Sequence, residues 1–500
     1  MTFPTFTGEI VRELAPLLIL LAGGMLFTIW GAVSRGTGGI LRLFAALFFL
    51  DVLVFVVKLW NVEGWPMLGG MLIVDRFTLF FTAIIAICAL GALLISSKYN
   101  ERFGFDRSEF LALLFFSSAG MFVIVSSYNL VSLFLGLELM SIPVYVMTGF
   151  RRRDLLSNEA AIKYFVLGAF SIAFFLYGVS LIYGLCGTTN YKGIIVEILA
   201  KEISSSPALL LALALILAGF AFKVSSVPFH MWVPDVYQGA PTSVTAFMAT
   251  AVKAAAFGGF LRFFYMSLMM ERTHWGGIVW TLAVLTMTLG NIVALAQRNM
   301  KRMMAYSGIA HAGYILVGLA SLSLVSVRGA SSVLYYLLAY AFMNIGAFAV
   351  ISVVEKREGF RGLEIDDYRG LGLKRPFLGL VMSVFMFSLA GIPPTAGFFA
   401  KYYVFSAAVE RGLIGLAVIG VLNSLVSLYY YLRVIVYMYM QKGDEQIPGR
   451  GDLAVRVVLV VCVLAVFWLG LGPGMGRFPG VESILEWTRM AVGPVAGTGV

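Results

Sequence analysis

Four charged side chains stand in the middle of otherwise apolar stretches of this 500-residue chain. Glu138 lies in FLGLELMSIP, Lys223 in GFAFKVSSVPFHMW, Lys253 in MATAVKAAAFGG and Lys401 in GIPPTAGFFAKYYVF. A charge at the centre of a bilayer costs at least about 2.5–3.5 kcal/mol on insertion scales, so each of the four needs a reason to be there. Proton transfer supplies one. Burial favours the neutral form of a lysine and a nearby carboxylate favours the charged form. A Glu138–Lys223 pair that opens and closes would therefore make that lysine bind and release a proton. A row of such lysines bridged by water would pass protons sideways. The plainer reading is a static buried ion pair that holds helices together, and for Glu138 with Lys223 alone the two readings stand level. Lys253 and Lys401 have no carboxylate near them in sequence, which tilts the set towards proton handling.

Other groups carry less weight. His311, in YSGIAHAGYI, could relay protons between lysines because imidazole titrates near neutrality; an interhelical hydrogen bond is an equal reading. His230 follows Pro228 and serves either a hydrated path or freed backbone. Lys163, in NEAAIKYF, either reaches the cytoplasmic surface or faces the bundle near Glu138. Asp51 shares a helix face with Lys58 as a structural or subunit-contact pair, and Arg433 reads as a snorkelling side chain. Cys88, Cys186 and Cys462 lie in or at the edge of apolar runs without CxxC spacing, which indicates neither disulfides nor a metal site. There is no Walker A motif, no GxGxxG after a strand and no HExxH, and the three histidines are scattered. The expectation is a chain with no metal, no cofactor, no redox centre and no ATPase of its own.

The elements that must hold these groups follow from composition. Hydrophobic residues make up 60% of the chain and charged ones only 12%, with a mean hydropathy of +0.92. Soluble domains run nearer 45–50% and 25%. The apolar runs are continuous rather than alternating, which excludes a β-barrel. The fold class is an all-α polytopic membrane protein. Fourteen helices are expected, at 13–33, 40–59, 73–95, 110–126, 129–149, 160–185, 207–237, 242–268, 277–297, 302–322, 330–354, 376–409, 413–440 and 453–472. No signal-peptide cleavage site follows the first run. The net charge of +10 would suggest nucleic acid in a soluble chain, but here the basic residues sit between spans. Twenty Lys/Arg fall in the odd-numbered loops against eleven in the even-numbered loops and termini, which puts both termini on the non-cytoplasmic side.

The seventh and twelfth runs are too long for one straight crossing, and both carry central prolines: Pro228 with Pro234, and Pro393 with Pro394. Five spans apart, they run in opposite directions. Such a pair predicts an inverted repeat of helices 4–8 on helices 9–13, with each break lining a hydrated path. One break alone would be a plain kink. The expected organisation is residues 1–105 for helices 1–3, 106–270 for the first repeat, 271–441 for the second, and 442–500 for helix 14 and a tail of unassigned role.

Three long segments then carry a resemblance. GLELMSIPVYVMTGFRRRDLLSNEAAIKYFVLGAFSIAFFLYG, FKVSSVPFHMWVPDVYQGAPTSVTAFMATAVKAAAF and SLAGIPPTAGFFAKYYVF are similar to helices 5–6, 7–8 and 12 of the antiporter-like subunits of respiratory complex I. The likeness is closest to the N subunits, counterparts of mitochondrial subunit 2, and covers nearly the whole chain. It implies that Glu138, Lys223, Lys253 and Lys401 match the family's proton-path residues, and Lys163 the helix 6 lysine of subunit N. Lysine at Lys401 resembles subunits N and L, whereas subunit M has glutamate; the absence of a long lateral helix departs from L. The resemblance implies a proton-translocating subunit of an NADH-quinone oxidoreductase in the bacterial inner membrane. NADH, FMN, iron–sulfur clusters and quinone would act elsewhere in the complex. The implied partners are the M, L, K and J subunits and, through them, the redox arm. Two rivals share the buried Glu/Lys plan: a Mrp-type cation/proton antiporter subunit and a hydrogenase- or F420-linked relative.

Overall fold

The computed structural model describes residues 8–33, 38–356, 362–443, 452–471 and 481–496. Helices occupy each of the fourteen expected stretches. They are α1 (Ala15–Val33), α2 (Gly38–Lys58), α3 (Arg76–Phe103), α4 (Ser108–Ser126), α5 (Leu130–Thr148), α6 (Leu155–Cys186) and α7a (Pro207–Lys223) with α7b (Val233–Gly239). Then come α8 (Thr242–Ser267), α9 (Arg272–Ala296), α10 (Met300–Ala320), α11 (Arg328–Val354), α12a (Pro376–Ala390) with α12b (Ala396–Glu410), α13 (Ile414–Met440) and α14 (Leu453–Trp468). Among the described residues, eleven helices are long and apolar enough to cross a membrane; α7a, α12a and α14 are shorter apolar helices. Arg35, Arg357, Arg361, Arg450 and Arg477, used above for orientation, lie outside the described residues, as does the end of the expected last span at 472.

Burial sorts the helices into a centre and a rim. Every residue of the most apolar stretch of α8 is buried and 94% of those of α10 and α11, against 22% for α2. Lipid tails are as apolar as leucine, so helices associate through close packing of small residues. A Cβ on Gly120 of α4 would come 2.3 Å from the Met140 backbone of α5, and one on Gly136 of α5 would come 2.8 Å from the Ile124 backbone of α4. The same reciprocal arrangement joins α9 and α10, where Gly290 meets Ala310 at 2.6 Å and Gly313 meets Met287 at 2.5 Å.

Several short elements lie outside the expected apolar spans. A two-residue antiparallel pair, β1 (Pro66–Met67) with β2 (Leu72–Ile73), precedes α3. The Tyr191–Ala200 helix, capped by Asn190, lies between α6 and α7a. The unassigned tail contains α15 (Val481–Ala496), whose Ile484, Thr488, Ala491 and Val495 are buried in packing against α3 and α11. Spaced three and four apart, they form one helical stripe.

Candidate proton-transfer site

Helix α5 carries the first part of the site. Glu138, Ser141 and Tyr145 recur at i, i+3 and i+7 and so share one stripe. Lys223, the last residue of α7a and only 3% exposed, donates to Ser141 Oγ at 2.7 Å and Tyr145 Oη at 3.2 Å. The expected Glu138–Lys223 ion pair is therefore not formed: the ammonium lies one to two turns further along α5 and is satisfied by hydroxyls. Glu138 is half-buried, beside the exposed Leu135 and Ile142.

The chain leaves α7a through Val224–Trp232. Ser225 takes a positive φ of 67°. The break was expected to free carbonyls for a hydrated path, but the Trp232 indole folds back and donates to the Phe222 carbonyl at 3.2 Å. Trp232 stacks on Tyr164 of α6 at 4.3 Å between ring centroids. Pro228 is exposed on the outer surface, and His230 is half-buried with an Nδ1 that has no hydrogen-bond partner. The hydrogen bonds of Lys223 and Lys253 go to Ser141, Tyr145 and Gly308, not to His230.

The second part is more continuous. A π-helical turn, Met248–Val252, leads directly into Lys253, and such turns concentrate at functional sites. Lys253 is 2% exposed and donates to the Gly308 carbonyl of α10 at 2.6 Å. A side chain at Gly308 would crowd it, since a Cβ there would lie 3.3 Å from Lys253 Nζ. Lys401, on α12b, donates to the Ala390 carbonyl at the end of α12a and to Ser424 Oγ of α13, both at 2.8 Å. Pro393 and Pro394 of this break are exposed, as Pro228 is. His311 stands between the two lysines. Its ring lies 5.1 Å from that of Tyr340 and 5.7 Å from that of Tyr314. Lys253 Nζ is 5.4 Å from the Tyr340 ring and Lys401 Nζ is 5.2 Å from the Tyr314 ring. His311 Nδ1 is 2.7 Å from Tyr336 Oη, and its Nε2 is 3.1 Å from Tyr431 Oη, which also bonds Ser307. Of the two readings of His311, the interhelical hydrogen bond is present.

Other placements decide between the expected readings or correct them. Lys163 is paired at the surface with Glu159 at 2.6 Å and Asp235 at 2.7 Å, away from Glu138. Asp51 and Lys58 make no ion pair; both are exposed, and Lys58 lies over the Phe55 ring. Arg433 does not snorkel but donates to the Leu295 and Gln297 carbonyls, closing the end of α9. Arg262, counted with the loop charges, is wholly buried against Asp75 at 2.5 Å.

The residue most clearly missed is Lys301. Counted with the loop charges, it is fully buried and donates to the Ala240 carbonyl at 2.6 Å. It lies two turns before Gly308, roughly 10 Å along α10 from the carbonyl that holds Lys253. The signal was available: Lys301, Met304, Gly308 and His311 fall on one stripe of α10. Nearby, Glu355 caps the end of α11, fully buried. It accepts from Arg151 at 2.7 Å, Tyr99 at 2.9 Å and Thr242 at 2.5 Å. Burial pushes its carboxyl up, but the Arg151 and Lys301 charges and the Thr242 hydroxyl outweigh that and hold it at about 2. Glu355 is thus a fixed anion that fastens α3, the Arg-rich loop and α8 together, rather than a group that exchanges protons near neutrality.

Among the described residues, no three His, Cys, Asp or Glu side chains come together as metal ligands would, and the three cysteines are buried and free. The site is a set of buried bases, hydroxyls and one imidazole, whose chemistry is acid–base.

A polytopic helical bundle with buried lysines beside two broken helices defines the antiporter-like class of membrane subunits. Residues 127–427 match the family described as NADH:quinone oxidoreductase/Mrp antiporter, TM. A curated relative in Trichlorobacter lovleyi, named NADH-quinone oxidoreductase subunit N, is 48% identical over 86% of this chain and 87% of its own. A chain of Thermus thermophilus respiratory complex I superposes with a TM-score of 0.77 at 34% identity, over 92% of this chain and 98% of that one. A chain of the Mrp complex of Dietzia sp. gives 0.84 at 21% identity, over 97% and 98%, a likeness of fold alone. The chain belongs to the NADH-quinone oxidoreductase subunit N family, the antiporter-like membrane subunits of complex I.

Proposed function

We propose that this chain translocates protons as a membrane-arm subunit of a complex I-type NADH:quinone oxidoreductase. The observation that carries the reading is the buried row Lys253–Tyr340–His311–Tyr314–Lys401, three bases separated by phenol rings. A proton taken up from the cytoplasm reaches Lys253, moves through His311 and its hydroxyl partners to Lys401, and leaves outward beside the α12 break. Lys223, held by hydroxyls rather than by Glu138, is the state in which that pair is open; closing it neutralises the ammonium with a carboxylate, and opening it again leaves a positive charge that repels a proton on Lys253. Lys163, with Asp235, lies outside this row and acts through the position of α7b. His230 and the prolines shape the breaks.

The matching glycine pairs of α4–α5 and α9–α10 support two repeats, helices 4–8 and 9–13, set in opposite senses. The loop charges favour both termini outside the cytoplasm. Electrons, flavin, iron–sulfur clusters and quinone belong to other subunits, with M, L, K and J as membrane neighbours. A Mrp-type role shares the fold, but the identity to N subunits favours complex I.

The test is Lys253→Met in the intact complex reconstituted into vesicles, with NADH oxidation and proton uptake followed together. Fewer protons per electron is the expected result. An unchanged ratio overturns the row as a proton path.

A further inference from the structure

The end of the molecule that carries the Arg-rich loops contains a cavity of about 1080 Å³ that the proton row does not use. It opens between the α3–α4 turn, the loop between α5 and α6, and the end of α11. Among the described residues, four arginines line it: Arg107, Arg151, Arg152 and Arg153. The two acidic ones are already engaged. Glu355 is held by Arg151, Tyr99 and Thr242, and Asp154 caps α6 through the Leu156 amide at 3.0 Å. The cavity is therefore strongly positive.

Two further features point to an anion. Arg151 is 92% buried by its side chain, which is 8% exposed, yet its Nε has no hydrogen-bond partner. Helix α4 starts at the cavity wall with Arg107 at its cap position, and no side chain caps its first amides. Those amides and the helix dipole favour negative charge. Burying an unpaired guanidinium N–H is costly unless something accepts from it. Phosphate oxygens match a guanidinium fork.

The apolar lining says what the phosphate is attached to. Phe105 and Phe150 meet edge-to-face at 6.1 Å in the wall. Leu155 at the rim is 83% exposed, and beyond the polar turn of Asn158 and Glu159 the exposed Ile162, Phe165 and Val166 lie along the outer face of α6. An apolar track leading away from a basic cavity fits a headgroup with acyl chains.

We infer that this cavity binds the phosphate of an anionic phospholipid, with Arg151 and its neighbouring arginines around the headgroup and the acyl chains lying along α6. The lipid would brace the loops whose Glu355–Arg151 pair fastens α3, α8 and α11 together. Placing it in the cytoplasmic leaflet rests on the orientation proposed above.

The experiment uses the intact complex and Arg152→Gln/Arg153→Gln, both exposed positions, with unchanged subunit composition as the folding check. Photoreactive phosphatidylglycerol is cross-linked, and labelled peptides are mapped with and without excess inorganic phosphate. Labelling concentrated at residues 103–107 and 150–156, falling roughly tenfold or more in the double variant and resistant to phosphate, is expected. Labelling that depends on the arginines but is displaced by inorganic phosphate keeps the anion site and overturns the lipid as its occupant. Labelling equal in both proteins, or spread evenly over the bundle, overturns the site.

Discussion

The two helix breaks look alike in sequence and are closed by different means. At α7 a neutral indole, Trp232, takes the Phe222 carbonyl, and Lys223 is left to the hydroxyls of α5. At α12 the lysine itself is the cap: Lys401 donates to the Ala390 carbonyl. The turn residues differ too, with Ser225 at φ 67° in the first break and Gly391 at φ 88° in the second. One break thus separates structural closure from charge, since a neutral indole and not the lysine holds the carbonyl. The other joins them, so that a change at Lys401 is also a change in the backbone.

That difference can be broken by substitution. The largest effect is expected for Lys401→Met, which should lower proton translocation on the order of tenfold or more. It should also destabilise the subunit by about 1–3 kcal/mol, because the Ala390 carbonyl and Ser424 hydroxyl lose their donor. Lys223→Met should lower translocation comparably with a smaller loss of stability. Equal melting shifts in the two purified complexes would remove the distinction. Next, Gly391→Ala should cost about 1–2 kcal/mol, since its Cβ would meet Lys401 Cδ at 3.0 Å in a left-handed conformation. Ser225→Gly should instead stabilise slightly. His311→Phe should slow proton transfer several-fold while the complex still assembles, measured as protons per electron; an unchanged ratio would mean that Lys253 and Lys401 communicate without it. Trp232→Phe is expected to cost about 1 kcal/mol through the lost hydrogen bond and to leave the proton-to-electron ratio alone.

The last effect is one of pH and is confined to acid. Because Glu355 is held at about 2 against an ordinary 4.5, its ionised form contributes stability that is full above about pH 4.5. That contribution fades as pH falls from 4.5 through 2. Above pH 4.5 the Glu355 charge predicts no change, and acid melting curves of the wild type and Glu355→Gln should converge as pH falls.

Much of the bundle was legible because bilayer thickness and hydropathy act on composition, window by window. Long apolar runs read correctly for that reason, while β1–β2, the Tyr191–Ala200 helix and α15 did not announce themselves. The four mid-span charges were equally plain, since a charge in an apolar run stands out without any knowledge of its neighbours. Lys301 was not, because a lysine at the start of a span looks like a loop cation until its carbonyl partner at Ala240, 61 residues away in sequence, is known. Between the two readings of Lys163, surface or bundle, the Asp235 partner decides for the surface, and sequence does not show that Asp235, 72 residues on, stands beside it.

The sequence by itself determined a helical membrane bundle, two proline breaks and the mid-span charges Glu138, Lys223, Lys253 and Lys401, because these depend on local composition and spacing. Only the tertiary structure decided which groups meet: Lys223 with Ser141 and Tyr145 instead of Glu138, and His311 between two lysines through tyrosine rings. It also decided which charges are fixed, such as Glu355 under Arg151. Hydrogen bonds and ion pairs act over about 3 Å, and in this bundle the partners stand as much as 256 residues apart along the chain, as Tyr99 and Glu355 do.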